Sequence, residues 1–164
     1  MNVMLRSVFL ASAVLALAAC DKASEAPTQA QAQQELRAPT DGNEQSWKVY
    51  LAGVVKQNMQ GIRNSPYMYY LPAPTVEDFQ AQYERQLANV SDTIARTVLP
   101  GNMLAFGSPD SAKMADLIVE AFKAADPGSF KDVRVLFIGK TEDEARVREA
   151  VAPSGADFVF VEAK

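Results

Sequence analysis

The sequence predicts an α/β fold: two N-terminal helices followed by a small βαβαβ unit with a mostly parallel three-stranded sheet. Three observations predict it. Short apolar runs at 103–106, 133–138 and 158–161 alternate with segments of helical periodicity, the pattern of strand–helix–strand crossovers. Those runs are nearly continuous in apolar residues, as expected of strands covered on both faces. Two longer segments with three- and four-residue apolar spacing come first.

The first helix is expected over residues 45–61. Trp47, Tyr50, Leu51, Val54, Val55, Met59 and Ile62 fall on one face, and Gly61 stands where glycine commonly closes helices. Next comes NSPYMYYLPAP, residues 64–74, where Pro66, Pro72 and Pro74 exclude a regular helix. This stretch is expected to be extended or turning. Its aromatic residues are read first as a seal over the core, because large rings mainly contribute buried area. The other reading makes Tyr67, Tyr69 and Tyr70 a partner surface, since Tyr and Met are enriched at interfaces. The second helix is expected to start at Thr75, a good cap with Asp78 three residues on. Val76, Phe79, Tyr83, Leu87, Val90, Ile94 and Val98 line its face until Pro100-Gly101 stops the run.

Between the strands lie a helix over 111–124, with Met114, Leu117, Ile118, Ala121 and Phe122 inward, and a shorter one over 142–151. Asp126-Pro127-Gly128 and Pro153-Ser154-Gly155 are turn signals. Right-handed crossovers are expected. Numbering the three strands in chain order, the sheet order 2-1-3 and the order 3-2-1 fit the sequence equally.

The N-terminus carries a different message. Arg6 precedes an apolar stretch of eleven residues, 7–17, and Asp21-Lys22 follow soon after. A transmembrane helix needs about 20 apolar residues, so this is a secretory signal pattern. Leu17-Ala18-Ala19-Cys20 resembles the lipobox of bacterial lipoproteins. That resemblance implies a diacylglyceryl group on Cys20, cleavage before it and acylation of the new amine. The expected organisation is therefore a signal peptide (1–19), a lipid-bearing cysteine with a flexible tether (20–43) and one α/β domain (44–164). The tether is rich in Ala, Gln, Glu, Pro and Thr, and its typical span is roughly 25–30 Å. Asp21 resembles the signal that keeps lipoproteins of enteric Gram-negative bacteria in the inner membrane. This favours the inner over the outer membrane, with the domain in the periplasm.

Composition narrows the function. Cys20 is the sole cysteine, so an intrachain disulfide is excluded, and the chain has no histidine. Histidine-based triads and histidine metal sites are excluded with it. No cofactor, metal or catalytic residue is assigned. With 16 basic and 20 acidic residues the net charge is −4, which argues against nucleic acid and against a basic membrane-binding face. Phe137-Ile138-Gly139-Lys140-Thr141 ends like a P-loop, but the required earlier glycine is replaced by Arg134.

One ligand reading survives this exclusion. Ser108 and Ser111 follow the first strand, and Lys140 and Thr141 follow the second. All four are expected at the carboxyl edge of the sheet, where helix N-termini attract anions. Capping alone also accounts for these residue types. The leading functional expectation is a non-enzymatic lipoprotein, held by the lipid on Cys20, that binds an envelope protein or supports an envelope assembly. Inhibitor and immunity roles belong to that class. The alternative is a small-molecule or anion-binding protein, or a weak enzyme, working at the carboxyl edge.

Overall fold

The computed structural model describes residues 36–96 and 98–164. Helix and strand alternate: α1 (Glu44–Gln57), β1 (Tyr67–Tyr70), α2 (Phe79–Ala95), β2 (Met103–Gly107), α3 (Ser111–Ala121), β3 (Arg134–Gly139), α4 (Thr141–Val151) and β4 (Asp157–Glu162). The sheet is four-stranded and parallel, in the order β1-β2-β3-β4. Two sequence expectations are corrected here. The sheet gains a fourth strand, β1, inside the stretch read as extended or turning, and this strand separates the two N-terminal helices. Of the two orders considered for the later strands, 3-2-1 is the one found.

Side-chain alternation along the strands divides the core into two layers. Leu104, Phe106, Val135 and Phe137 point to one face, where they meet Val90 and Ile94 of α2, Met114, Leu117 and Ile118 of α3, and Val147 and Val151 of α4. Met103, Ala105, Leu136 and Ile138 point to the other, where α1 covers them with Trp47, Tyr50, Leu51, Val54 and Val55. With α2, α3 and α4 on one face and strand order following chain order, the three crossovers share one hand. Both faces of β2 and β3 are covered, which explains why their sequences are apolar without alternation.

Helix ends differ from expectation for local reasons. α1 stops at Gln57 rather than at Gly61. The Asn58 side chain donates to the Val54 carbonyl (2.8 Å), and the Asn58 and Gln60 carbonyls accept from Arg134 Nη1 at the foot of β3 (2.8 and 3.1 Å). The start of α1 is capped by Asn43, which accepts from Ser46 N (2.9 Å). α2 begins at Phe79 instead of Thr75, because residues 73–79 are taken up by two successive turns, Val76 N to Ala73 O and Phe79 N to Val76 O. The helix expected over 111–124 ends at Ala121 and tightens into a 3-10 turn, Phe122–Ala124.

The folded unit also takes in residues ahead of α1. Leu36 and Ala38 pack on the α1 layer, and Ala38 N donates to Lys164 O. Leu36 lies against Gly53, where an added Cβ would come 2.9 Å from Leu36 Cδ1. The segment ahead of α1 and the last residue therefore meet.

Candidate functional site

The carboxyl edge of the sheet is built where β2 and β3 hand over to α3 and α4. β2 ends at Gly107, and Ser108 follows, buried, with Oγ accepting from Asp110 N (3.0 Å). Asp110 is the cap of α3 and accepts from Lys113 N (2.9 Å). Ser111 then sits in the first turn of α3, 4% exposed. Its Oγ donates to Asp143 Oδ2 (2.6 Å) and accepts from Lys140 N (2.8 Å), so it joins the starts of two helices. Only glycine fits at position 139: a Cβ there would lie 2.6 Å from Ser111 Oγ and 2.4 Å from the Phe137 ring.

Asp143 extends the link. Its Oδ1 accepts from Arg146 Nε (3.0 Å) and Nη2 (2.8 Å). Arg146 also donates to Asp116 Oδ1 (2.5 Å) and to the Ala112 carbonyl (2.8 Å) on α3. Burial works against the Arg146 charge, but the bonds to Asp116 and Asp143 outweigh it and the pKa is raised. Ser111, Asp143, Arg146 and Asp116 thus clamp α3 to α4. Because the Asp143 oxygens are used by Ser111 and Arg146, the carboxylate is structurally engaged.

Thr141 opens α4, and its hydroxyl faces Glu162. The bond from Lys164 and, after it, the one from Thr141 hold the Glu162 carboxyl below its ordinary range. Lys140 is exposed. The four residues singled out from the sequence are therefore brought to one edge. Ser108, Ser111 and Thr141 spend their hydroxyls within the protein, and Lys140 keeps its ammonium in solvent.

A cavity of about 170 Å³ opens beside them. Its walls are Ser108, Pro109 and Ser111, Gly139 and Lys140, Trp47 from α1, and the chain segments 38–40 and 163–164. Trp47 is 4% exposed and packs edge-on against Tyr50 (5.5 Å between ring centres). Its indole Nε1 is buried with no hydrogen-bond partner among the described residues. Sequence reasoning placed Trp47 on the apolar face of the first helix, and it did not reach Arg146. The glycine before Lys140 was a usable signal, because it frees space at a strand end. Nothing local announces the Ser111–Asp143 bond, which spans 32 positions.

At the opposite edge a larger hollow, about 510 Å³, lies among Gly61 to Arg63, Gly101, Asp132, Arg134 and Asp157. Arg134 is fixed there by Asp157 (Nη2 to Oδ2, 2.7 Å) and by the two carbonyls that end α1.

The tyrosines separate. Tyr69 is buried and stacked on Phe106 (5.1 Å), with its hydroxyl bonded to the Thr93 side chain. Tyr70 packs in the α1 layer under Lys48, 5.7 Å from its ring centre, and its hydroxyl is buried without a partner among the described residues. Tyr67 and Met68 are 45% and 51% exposed. Tyr69 thus belongs to the core rather than to an exposed surface. Cys20 and the signal pattern lie outside the described residues. Among the described residues no helix is long and apolar enough to cross a membrane.

Comparison with protein families, with characterised proteins and with solved structures finds no match to this chain.

Proposed function

We propose that this chain is a bacterial envelope lipoprotein that works by binding another envelope protein. The observation that carries the reading is the apolar stretch 7–17 followed by Leu17-Ala18-Ala19-Cys20. Lipid on Cys20 anchors the chain in the membrane, with the α/β domain facing the periplasm, and Asp21 favours the inner membrane. Each buried methylene adds about 0.8 kcal/mol to anchoring, so two or three acyl chains hold the protein stably. Protein binding is supported by strand β1, an edge of the sheet that exposes Tyr67 and Met68. Supporting an assembly and inhibiting a partner, as immunity proteins do, are both uses of such a surface.

The test has two arms. Cells producing the natural chain or Cys20→Ser are grown with labelled palmitate, and the label is expected only on the natural chain. Label on the variant, or none on either, overturns the lipoprotein reading. A photo-crosslinking residue at position 67 or 68 is expected to capture one envelope protein that the same residue at Lys131 does not. Equal capture at all three positions overturns the partner surface.

A further inference from the structure

From the open edge of β4 we infer that two copies of this chain pair β4 with β4, antiparallel about a two-fold axis at Val159, joining their four-stranded sheets into one. The inference stands independently of the lipid anchor and of the β1 surface.

β4 is the last strand of the sheet and keeps an unbroken register with β3 from Asp157 to Glu162. Strand edges are ordinarily blunted by proline, lysine or a bulge, and β4, DFVFVE, has none of these. β1, at the other edge, is only four residues long and follows Pro66 directly. The core layers also stay open at β4. Phe106 and Phe137 in β2 and β3 are fully buried, whereas Phe158 and Phe160, packed on the same layer, are half-buried. On the other face Val159 and Val161 are half-buried beside the fully buried Leu136 and Ile138. A strand laid alongside covers all four.

Backbone geometry and charge select the occupant. Asp157 N donates to Val133 O and Ala163 N to Gly139 O, so the odd-numbered residues of β4 turn their backbone groups toward β3. Phe158, Phe160 and Glu162 therefore turn theirs outward. With the axis at Val159, Phe158 of each copy exchanges both backbone bonds with Phe160 of the other. These rings share the face of α2, α3 and α4, and Val159 meets its own copy on the α1 face. Asp157 falls opposite Val161 and Glu162 opposite Ala156, so no carboxylate faces another. A parallel copy in register would set each acid against itself, and like charges directly opposite destabilise. β4 is thus its own complement. An edge about 20 Å long buries less than the ~1,200 Å² of a stable complex, so the dimer is weak, with a dissociation constant on the order of 10–100 µM.

One disulfide reads the register. Antiparallel partners that are not hydrogen-bonded lie about 4.5 Å apart between Cα atoms, within the ~4.4–6.8 Å that a disulfide spans. The test uses the full chain carrying Cys20→Ser, which leaves no other thiol, in detergent with micelles in large excess. Val159→Cys is expected to oxidise to a linked dimer. Phe160→Cys and Val161→Cys, about 8 and 14 Å from their own copies, are expected to stay unlinked. Sedimentation of the natural chain is expected to show a concentration-dependent dimer. Val159→Lys is expected to raise its dissociation constant at least about tenfold, by setting two ammonium groups face to face. The natural chain's sedimentation serves even if a variant folds poorly. Linkage at Phe160 or Val161 in place of Val159 overturns the register. Equal linkage at all three positions, or a natural chain that stays monomeric up to about 1 mM, overturns the pairing. Oxidation of Val159→Cys in cell membranes that links it to another protein and not to itself overturns the second copy as occupant.

Discussion

Gly139 shows how much can depend on the absence of one methyl group. It lets the start of α4 come close enough for Ser111 to bond both Lys140 N and Asp143. Gly139→Ala would push a Cβ into two buried side chains that have no room to move. A loss of about 1–3 kcal/mol is expected, as for other overpacked cores, and a lower urea midpoint at unchanged slope would confirm it. Ser111→Ala removes the joint without adding bulk and is expected to cost about 1–2 kcal/mol, measured the same way. The sequence marked Ser111 as a cap or ligand residue, but its partner lies in another helix, and residue type alone does not reveal a tertiary bond. A further residue-scale prediction concerns alkali. Burial first, and then the Glu44 charge, push Tyr70 up to about 12, and burial also raises Tyr50, Tyr69 and Tyr83. Each folded pKa exceeds the unfolded value of about 10, so folding favours the protonated phenols. Their contribution is complete below about pH 10 and is lost as pH rises through the folded values, about 12 for Tyr70. Stability measured against pH is expected to fall through that window, with phenolate absorbance rising in step with unfolding. Tyr70→Phe should make the fall shallower.

Among the elements, those with a strong period were legible and those defined by their neighbours were not. β2, β3 and β4 lie within one residue of their expected limits at either end. α3 and α4 begin at the expected position or one residue before it. β1 escaped notice because Tyr67 to Tyr70 has no alternation and sits between prolines; it becomes a strand only by pairing with Leu104 to Gly107. Thr75 looked like a cap by residue type, yet local turns claimed it. The segment 36–40 was read as tether for want of periodicity, and the contacts that place it, Leu36 against Gly53 among them, are tertiary. That contact can be tested at Gly53. Alanine there adds about 1 kcal/mol of helix propensity, while its methyl meets only the flexible end of Leu36. Gly53→Ala is expected to keep or slightly raise the unfolding temperature yet speed hydrogen exchange at Ala38 N, whose acceptor is Lys164 O. Unchanged exchange would show that Leu36 does not hold the segment down.

For the whole molecule, residues 36–164 are expected to fold alone, because both core layers close within them. A fragment starting at residue 36 should unfold cooperatively, with no response to a chelator. One starting at residue 44 should be less stable by about 1–3 kcal/mol, the burial of Leu36 and Ala38. A non-cooperative transition in the longer fragment would contradict this. The sheet's order carries a further consequence for folding during synthesis. Because β1, β2, β3 and β4 lie side by side as they occur along the chain, each strand meets its predecessor as soon as it emerges, and growth can proceed one βα unit at a time. α1 is the exception. It appears first among the described elements, but its apolar face rests on Met103, Ala105, Leu136 and Ile138, the last of them 91 positions after Trp47. Until β2 and β3 are both in place, Trp47, Tyr50, Leu51, Val54 and Val55 lack the full sheet face they rest on. Of the described helices, α1 thus waits longest for the sheet face it rests on, and a chaperone that binds the nascent chain has its target there.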